Sequence, residues 1–303
     1  MKYNWSIIGH DDKLNRLEAD ISSGNVSSAY LLAGPNSVGK FTVARKMAQI
    51  LQCENDFCYT CQTCKQIENG GHYDTMEYKD DGKMIVVDDV KNIIKWLITT
   101  PQAKYKVLLI QSIERMNNES ANSFLKMLEE PPERTIMIFT TDEVNTLLPT
   151  IISRVRVVTF NVVSVEYLEK KLKELYPQAE EEVIKKVCLF SLGKTGKAVH
   201  LMENPDALAG YLRTYNDIQS FLSYNNVADK FAYANELAED EKQLEVFLDV
   251  LKHVIRSRMI ETRDRSKQAD NLSILAKISS FGNYSRRNIN MRMYLENLML
   301  DLV

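Results

Sequence analysis

Apolar and polar positions along the chain change rhythm near residue 160. Before that point, short unbroken apolar runs alternate with segments of helical spacing. Ala29-Tyr30-Leu31-Leu32-Ala33, Lys106-Val107-Leu108-Leu109-Ile110 and Thr135-Ile136-Met137-Ile138-Phe139 read as strands buried on both faces. Between them, Lys40 to Gln52 puts Val43, Ala44, Met47, Ala48 and Leu51 on one helical face, and Asn118 to Leu128 repeats the helical pattern. Thr75 to Tyr78 and Met84 to Val87 each have strand character. Asp88 or Asp89 then serves as cap for a helix with Val90, Ile93, Ile94 and Leu97 on its apolar face, ended before Pro101. Such alternation predicts an α/β fold with a doubly wound parallel sheet. The sheet ends near Val155 to Phe160, and from Ser164 onward the spacing is helical, as in Leu244, Phe247, Leu248, Leu251 and Val254. Gly193 to Gly196 interrupts that pattern and Asn204-Pro205 marks a boundary. The expected domains are therefore 1–162 (sheet), 163–205 (small helical) and 206–303 (helical).

A length of 303 residues and a hydrophobic content of 45% suit two or three domains with substantial cores. The formal charge of −3 gives no global attraction to nucleic acid or to an anionic membrane. Arg256, Arg258, Arg263, Arg265 and Lys267 concentrate positive charge locally, but Glu261 and Asp264 dilute it, so the stretch reads as a solvated helix face. The N-terminus resembles no secretory signal and no apolar run approaches the ~20 residues of a membrane span, so the expectation is a soluble, cytoplasmic protein without membrane contact.

Directly after the first strand comes Gly34-Pro35-Asn36-Ser37-Val38-Gly39-Lys40, a phosphate-binding loop between a strand and a helix. In such loops backbone N–H groups and the helix N-terminus receive phosphate oxygens, the lysine reaches the β and γ phosphates, and a following Ser or Thr holds Mg²⁺. Here Phe41 follows the lysine. Thr42 carries a hydroxyl one residue late, and one helical residue turns a side chain by about 100°. Gly34, Gly39, Lys40 and Thr42 are the candidate nucleotide residues of a degenerate loop. The strand Lys106 to Ile110, where an Asp-Glu pair for metal and water chemistry belongs, is followed by Gln111 and Ser112. Both departures remove the same chemistry, so the Mg²⁺ site is expected to be lost, with ATP binding left open.

Four of the five cysteines, Cys53, Cys58, Cys61 and Cys64, lie within twelve residues. In a cytosolic chain this density predicts a closed four-thiolate site for structural zinc. Glu54 and Asp56 are its only charged residues between the first and last cysteine, which argues against a phosphate-gripping finger. Cys188, in Val187-Cys188-Leu189-Phe190, reads as a small core residue.

The segments Ala121-Asn122-Ser123-Phe124-Leu125-Lys126-Met127-Leu128-Glu129-Glu130-Pro131-Pro132 and Thr150-Ile151-Ile152-Ser153-Arg154 resemble the ANxxLKxLEEPP and TIxSR stretches of bacterial clamp-loader subunits of the AAA+ superfamily. Ile7-Ile8-Gly9-His10, Ser28-Ala29-Tyr30-Leu31 and the inserted cysteine module are similar to that family as well. The resemblance covers roughly residues 5 to 200. It implies an AAA+ sheet domain, a helical lid and a helical collar that packs into a ring. It also implies that Arg154 acts in trans as an arginine finger on a neighbour's ATP, and that Lys197 stands where motor subunits carry a second nucleotide-sensing arginine. Val155 follows Arg154 where the family usually has Cys. Of the two kinds of subunit with this architecture, the ATP-hydrolysing motor and the silent delta-prime subunit of DNA polymerase III, the two lost site features point to the second. The implied partners are motor subunits and the delta subunit, with the sliding clamp and primed DNA reached through the complex. The competing readings are an active AAA+ ATPase using Thr42 and a zinc-containing nucleic-acid-binding module with a vestigial loop.

Overall fold

The computed structural model describes residues 2–55, 57–223, 226–262, 264–284 and 290–302. Asp56 and Arg263 lie outside the described residues. The chain forms two compact units, Met1–Val163 with Gly193–Lys197, and Ser164–Leu192 with Ala198–Val303.

The first unit runs α1 (Asp11–Ser22), β1 (Ala29–Ala33), α2 (Lys40–Gln52), α3 (Gln62–Glu68), β2 (Thr75–Tyr78), α4 (Val87–Leu97), β3 (Lys106–Ile110), α5 (Asn118–Glu129), β4 (Thr135–Thr141), α6 (Pro149–Ile152) and β5 (Arg156–Thr159). Its five strands form one sheet in the order β2-β3-β4-β1-β5, and every neighbouring pair is parallel. β1 is internal, aligned with β4 from Ala29 against Met137 and with β5 from Tyr30 against Arg156. Strand side chains alternate between faces. Tyr30, Leu32, Val107, Leu109, Ile136 and Ile138 therefore join the α2 residues Val43, Met47 and Leu51 in one core. Leu31, Leu108, Ile110, Met137 and Phe139 join α4 and α5 in the other. Burial on both faces is the doubly wound α/β arrangement, and it explains why these strands are continuous apolar runs.

Local chemistry sets the ends. The Asn117 side chain accepts the Ser120 N–H at 2.8 Å and starts α5, and Glu130-Pro131-Pro132 ends it. Met84 to Val87 is not a strand: Ile85 makes only an isolated bridge to Met116, and α4 starts at Val87. Its cap position is Val86 rather than Asp88 or Asp89. Asp89 instead reaches back from the first turn, its Oδ2 accepting the Val86 N–H at 3.0 Å.

Helices α7 (Val165–Leu175), α8 (Glu181–Ser191), α9 (Thr195–Glu203), α10 (Pro205–Ser223), α11 (Val227–Glu239), α12 (Glu241–Glu261), α13 (Arg265–Tyr284) and α14 (Met291–Leu300) follow, and no strand occurs among the described residues beyond Thr159. In the second unit, Ser164 caps α7 by accepting the Tyr167 N–H. Leu244, Phe247, Leu248, Leu251 and Val254 are all buried, as their spacing predicts, and Tyr233 meets Phe247 edge-on at 5.8 Å. Cys188 is buried in the same unit, and burial pushes its thiol up to about 11. Arg256, Arg265 and Lys267 are exposed. No helix of the described residues is long and apolar enough to cross a membrane.

Candidate functional site

The loop between β1 and α2 lies at the C-terminal end of an internal strand, the edge where parallel sheets bind ligands. Gly34 opens it at φ 142°, and a β-carbon there would stand 1.9 Å from the Phe160 carbonyl oxygen, so no larger residue fits. Gly39 begins the helix at φ 93°. Ser37 also holds a left-handed conformation, at φ 62°, where glycine carries no β-carbon strain. Lys40 is only 6% exposed. Its Nζ donates to the Gly34 carbonyl at 2.7 Å, the Pro35 carbonyl at 2.8 Å and Asp142 Oδ1 at 2.8 Å. An ammonium has three N–H donors, and these acceptors use all three.

Asp142 follows β4, the strand beside β1, and its own N–H donates to Glu114 Oε1 at 3.0 Å. Sequence reading did not single it out. Its signal was position: a carboxylate just past the C-terminal end of a strand adjoining the loop strand. The start of α9 lies on the same loop. The Thr195 hydroxyl donates to the Val38 carbonyl at 3.0 Å and the Lys197 N–H to the Ser37 carbonyl at 3.1 Å. A β-carbon on Gly196 would come within 2.9 Å of that Ser37 oxygen and 3.1 Å of the Gly39 nitrogen, so glycine permits the approach. Lys197 thus reaches the loop through its backbone. His10 is buried nearby, its ring 5.0 Å from that of Phe160, its Nε2 without a partner, and burial lowers its pKa.

Phe41 is half-buried, with the Arg45 guanidinium 5.4 Å from its ring. Arg45 in turn grips the buried Glu77 through Nε at 2.8 Å and Nη2 at 3.0 Å. Thr42 is exposed. After β3, Gln111 Oε1 accepts the Asp80 N–H at 3.3 Å, and the Ser112 N–H donates to Thr140 Oγ1 at 3.2 Å. Of the nearby acids, Asp80 pairs with Arg115 at 2.6 Å and Asp142 with Lys40, while Glu114, engaged by the Asp142 N–H through Oε1, has a buried Oε2 without a hydrogen-bond partner. The neutral amide and hydroxyl following β3 offer no charge to a divalent cation.

The four cysteines of the module converge, with all sulfurs within 4.8 Å of one another. Cys53 Sγ stands 3.8 Å from Cys58 Sγ and 3.9 Å from Cys61 Sγ. Tetrahedral zinc with Zn–S bonds of about 2.3 Å needs sulfur separations of about 3.8 Å, so the donor set fits that ion. The N–H groups of Cys61 and Cys64 point at Cys58 Sγ and Cys61 Sγ, at 3.3 and 3.4 Å. The amides of Cys61 and Thr60 pull the Cys58 thiol down to about 6, whereas burial pushes Cys64 up. Gln49 braces the module from α2 by donating to the Cys64 carbonyl at 3.0 Å.

Arg154 stands just beyond α6, in the connection between β4 and β5. Its Nη1 donates to the Thr150 carbonyl at 2.9 Å and to Ser153 Oγ at 3.2 Å, and its Nη2 pairs with Glu129 Oε1 at 2.6 Å. One third of the side chain remains exposed, at 33%.

Residues 9–164 match the family described as DNA polymerase III, delta subunit. The chain is 31% identical over 212 residues to DNA polymerase III subunit gamma of Buchnera aphidicola subsp. Acyrthosiphon pisum, covering 67% of this chain and 58% of that protein. It is 36% identical over 133 residues to DNA polymerase III subunit delta' of Pseudomonas aeruginosa, covering 42% of this chain and 40% of that protein. Among solved structures, a DNA polymerase III gamma subunit-related protein of Thermotoga maritima aligns over 94% of this chain and 98% of its own, with 20% identity and a TM-score of 0.48. The matched stretch thus spans less than two thirds of either curated relative. With a matching family region that extends from before β1 to the end of the sheet, the chain belongs to the DNA polymerase III clamp-loader subunit family.

Proposed function

We propose that this chain is a clamp-loader subunit of the delta-prime kind, silent in ATP hydrolysis itself and serving the ATP site of a neighbouring motor subunit. The observation that carries the reading is the loss, in one loop and one strand end, of every group that holds Mg²⁺ or activates water: Phe41, Gln111 and Ser112 replace them. Thr42 is a poor substitute because it is exposed while Lys40 is buried. Lys40, with its donors already taken inside the chain, offers little to a triphosphate. Arg154 keeps one third of its surface in solvent at the end of a short helix, accessible to a partner. A guanidinium placed against a neighbour's γ-phosphate neutralises the charge that develops during transfer.

In this reading 163–205 supplies a lid and 206–303 a collar, through which the chain joins motor subunits and a delta subunit in a ring. Clamp and primed DNA are engaged by the whole assembly. Zinc, held by Cys53, Cys58, Cys61 and Cys64, closes the module after α2 and takes no part in the chemistry.

Reconstitution tests this. The isolated chain is expected to release no phosphate from ATP with Mg²⁺, and Arg154→Ala is expected to leave assembly intact while lowering the complex's ATPase by about 10³-fold at the site it serves. Robust turnover by the isolated chain, or an unchanged complex with Arg154→Ala, would refute the assignment.

A further inference from the structure

The geometry points to Glu129 as the residue that holds Arg154 at rest and competes with the neighbour's phosphate for it. The inference rests on the in-trans role of Arg154 proposed above and adds its regulation. Glu129 is the last residue of α5, fixed there by the Glu130-Pro131-Pro132 stop, and Arg154 follows α6. Both helices pack on one core, through Phe124, Met127 and Leu128 of α5 and Ile151 of α6, so the two side chains are presented from supports that packing holds in place.

Arg154 Nη2 lies 2.6 Å from Glu129 Oε1, while Nη1 is held by the Thr150 carbonyl and Ser153 Oγ. The guanidinium therefore sits against a full negative charge and against the Thr150 carbonyl oxygen, which carries partial negative charge. A phosphate approaching Arg154 meets that carboxylate within a few ångströms. Like charges so close oppose one another, and the Nη2 edge suited to bidentate phosphate contact is partly used. Glu129 thus lowers the positive charge offered to an incoming nucleotide until its own bond is given up.

Both partners are partly solvated, 33% for Arg154 and 47% for Glu129. Pairs of that kind contribute modestly, which makes the hold reversible. A buried pair would lock the arginine; an exposed one sets a threshold.

The test uses the reconstituted complex and varies ATP concentration. Glu129→Gln keeps size and hydrogen-bonding capacity but removes the charge, so it is expected to lower KM for ATP by about two- to fivefold with kcat changed by less than about twofold. Glu129→Asp, which keeps the charge, is expected to stay near wild type. In an Arg154→Ala background, Glu129→Gln is expected to have no further effect, because the carboxylate acts through the arginine. An unchanged or raised KM in Glu129→Gln, alongside a loss of ATPase in Arg154→Ala, overturns this inference alone. The same KM decrease with and without Arg154 also overturns it. An Arg154→Ala complex with full ATPase removes both this inference and the function on which it rests.

Discussion

At the scale of single residues, the loop accommodates an apolar side chain at the position where loops of this kind place a metal-binding hydroxyl. Phe41 fits where it stands, half-buried beside Arg45, which is itself neutralised by Glu77. Restoring the hydroxyl is therefore not enough. Phe41→Thr is expected to leave the isolated chain without Mg²⁺-dependent ATPase, since Gln111 and Ser112 still supply no carboxylate. Phosphate release measured with and without Mg²⁺ decides this, and turnover by the single variant would mean another group holds the metal. The loop glycines, Lys40, the four cysteines and Arg154 were all visible in the sequence, because each belongs to a motif of fixed local spacing. Asp142 and Glu129 acquired their roles only in three dimensions. Asp142 meets Lys40 across 102 positions, and Glu129 lay in a recognised segment without anything to show that it faces Arg154.

At the scale of elements, the cysteine module is a short insertion that shares its core with the sheet domain. Cys53, Phe57, Cys64 and Ile67 are buried in the same cluster as Val43, Met47 and Leu51 of α2. Loss of a bound ion should therefore loosen the α2 side of the sheet as well as the module. Cys64→Ser is expected to abolish stoichiometric zinc, measured by elemental analysis, and to lower the thermal midpoint by roughly 5 °C or more. Retention of zinc with an unchanged midpoint would exclude the four-thiolate site. The strands were legible because burial on both faces leaves an unbroken apolar run, and α5 because its apolar positions recur at helical spacing. The same pattern misleads at Met84 to Val87, where an apolar run rich in β-branched residues resembles a strand but only Ile85 finds a bridging partner. The acid pair Asp88-Asp89 misplaced the start of α4 because a carboxylate in the first turn and one at the cap look alike in sequence.

At the scale of the whole molecule, charge is nearly balanced, so pH acts through particular buried groups. Burial lowers the pKa of both His10 and His72, although Asp74 pulls His72 the other way. A base lowered in the folded state binds fewer protons there than when unfolded. Folding is then favoured above the unfolded value, near 6.5, and weakened as pH falls from it toward the folded value. The thermal midpoint is expected to drop between about pH 7.5 and about pH 5.5, and His10→Gln with His72→Gln is expected to flatten that slope; an equal slope in the double variant would assign it elsewhere. The change of rhythm near residue 160 falls close to the boundary of the sheet unit at Val163, but nothing in the pattern announced that Gly193–Lys197 returns to that unit. So short a segment, with Gly196 at the point of contact, carries no periodicity to read. Joined to Gly34, Pro35 and Asp142, the buried Lys40 ties the end of β4 to the turn after β1, so a lysine at this position serves the stability of the domain whether or not it ever meets a phosphate.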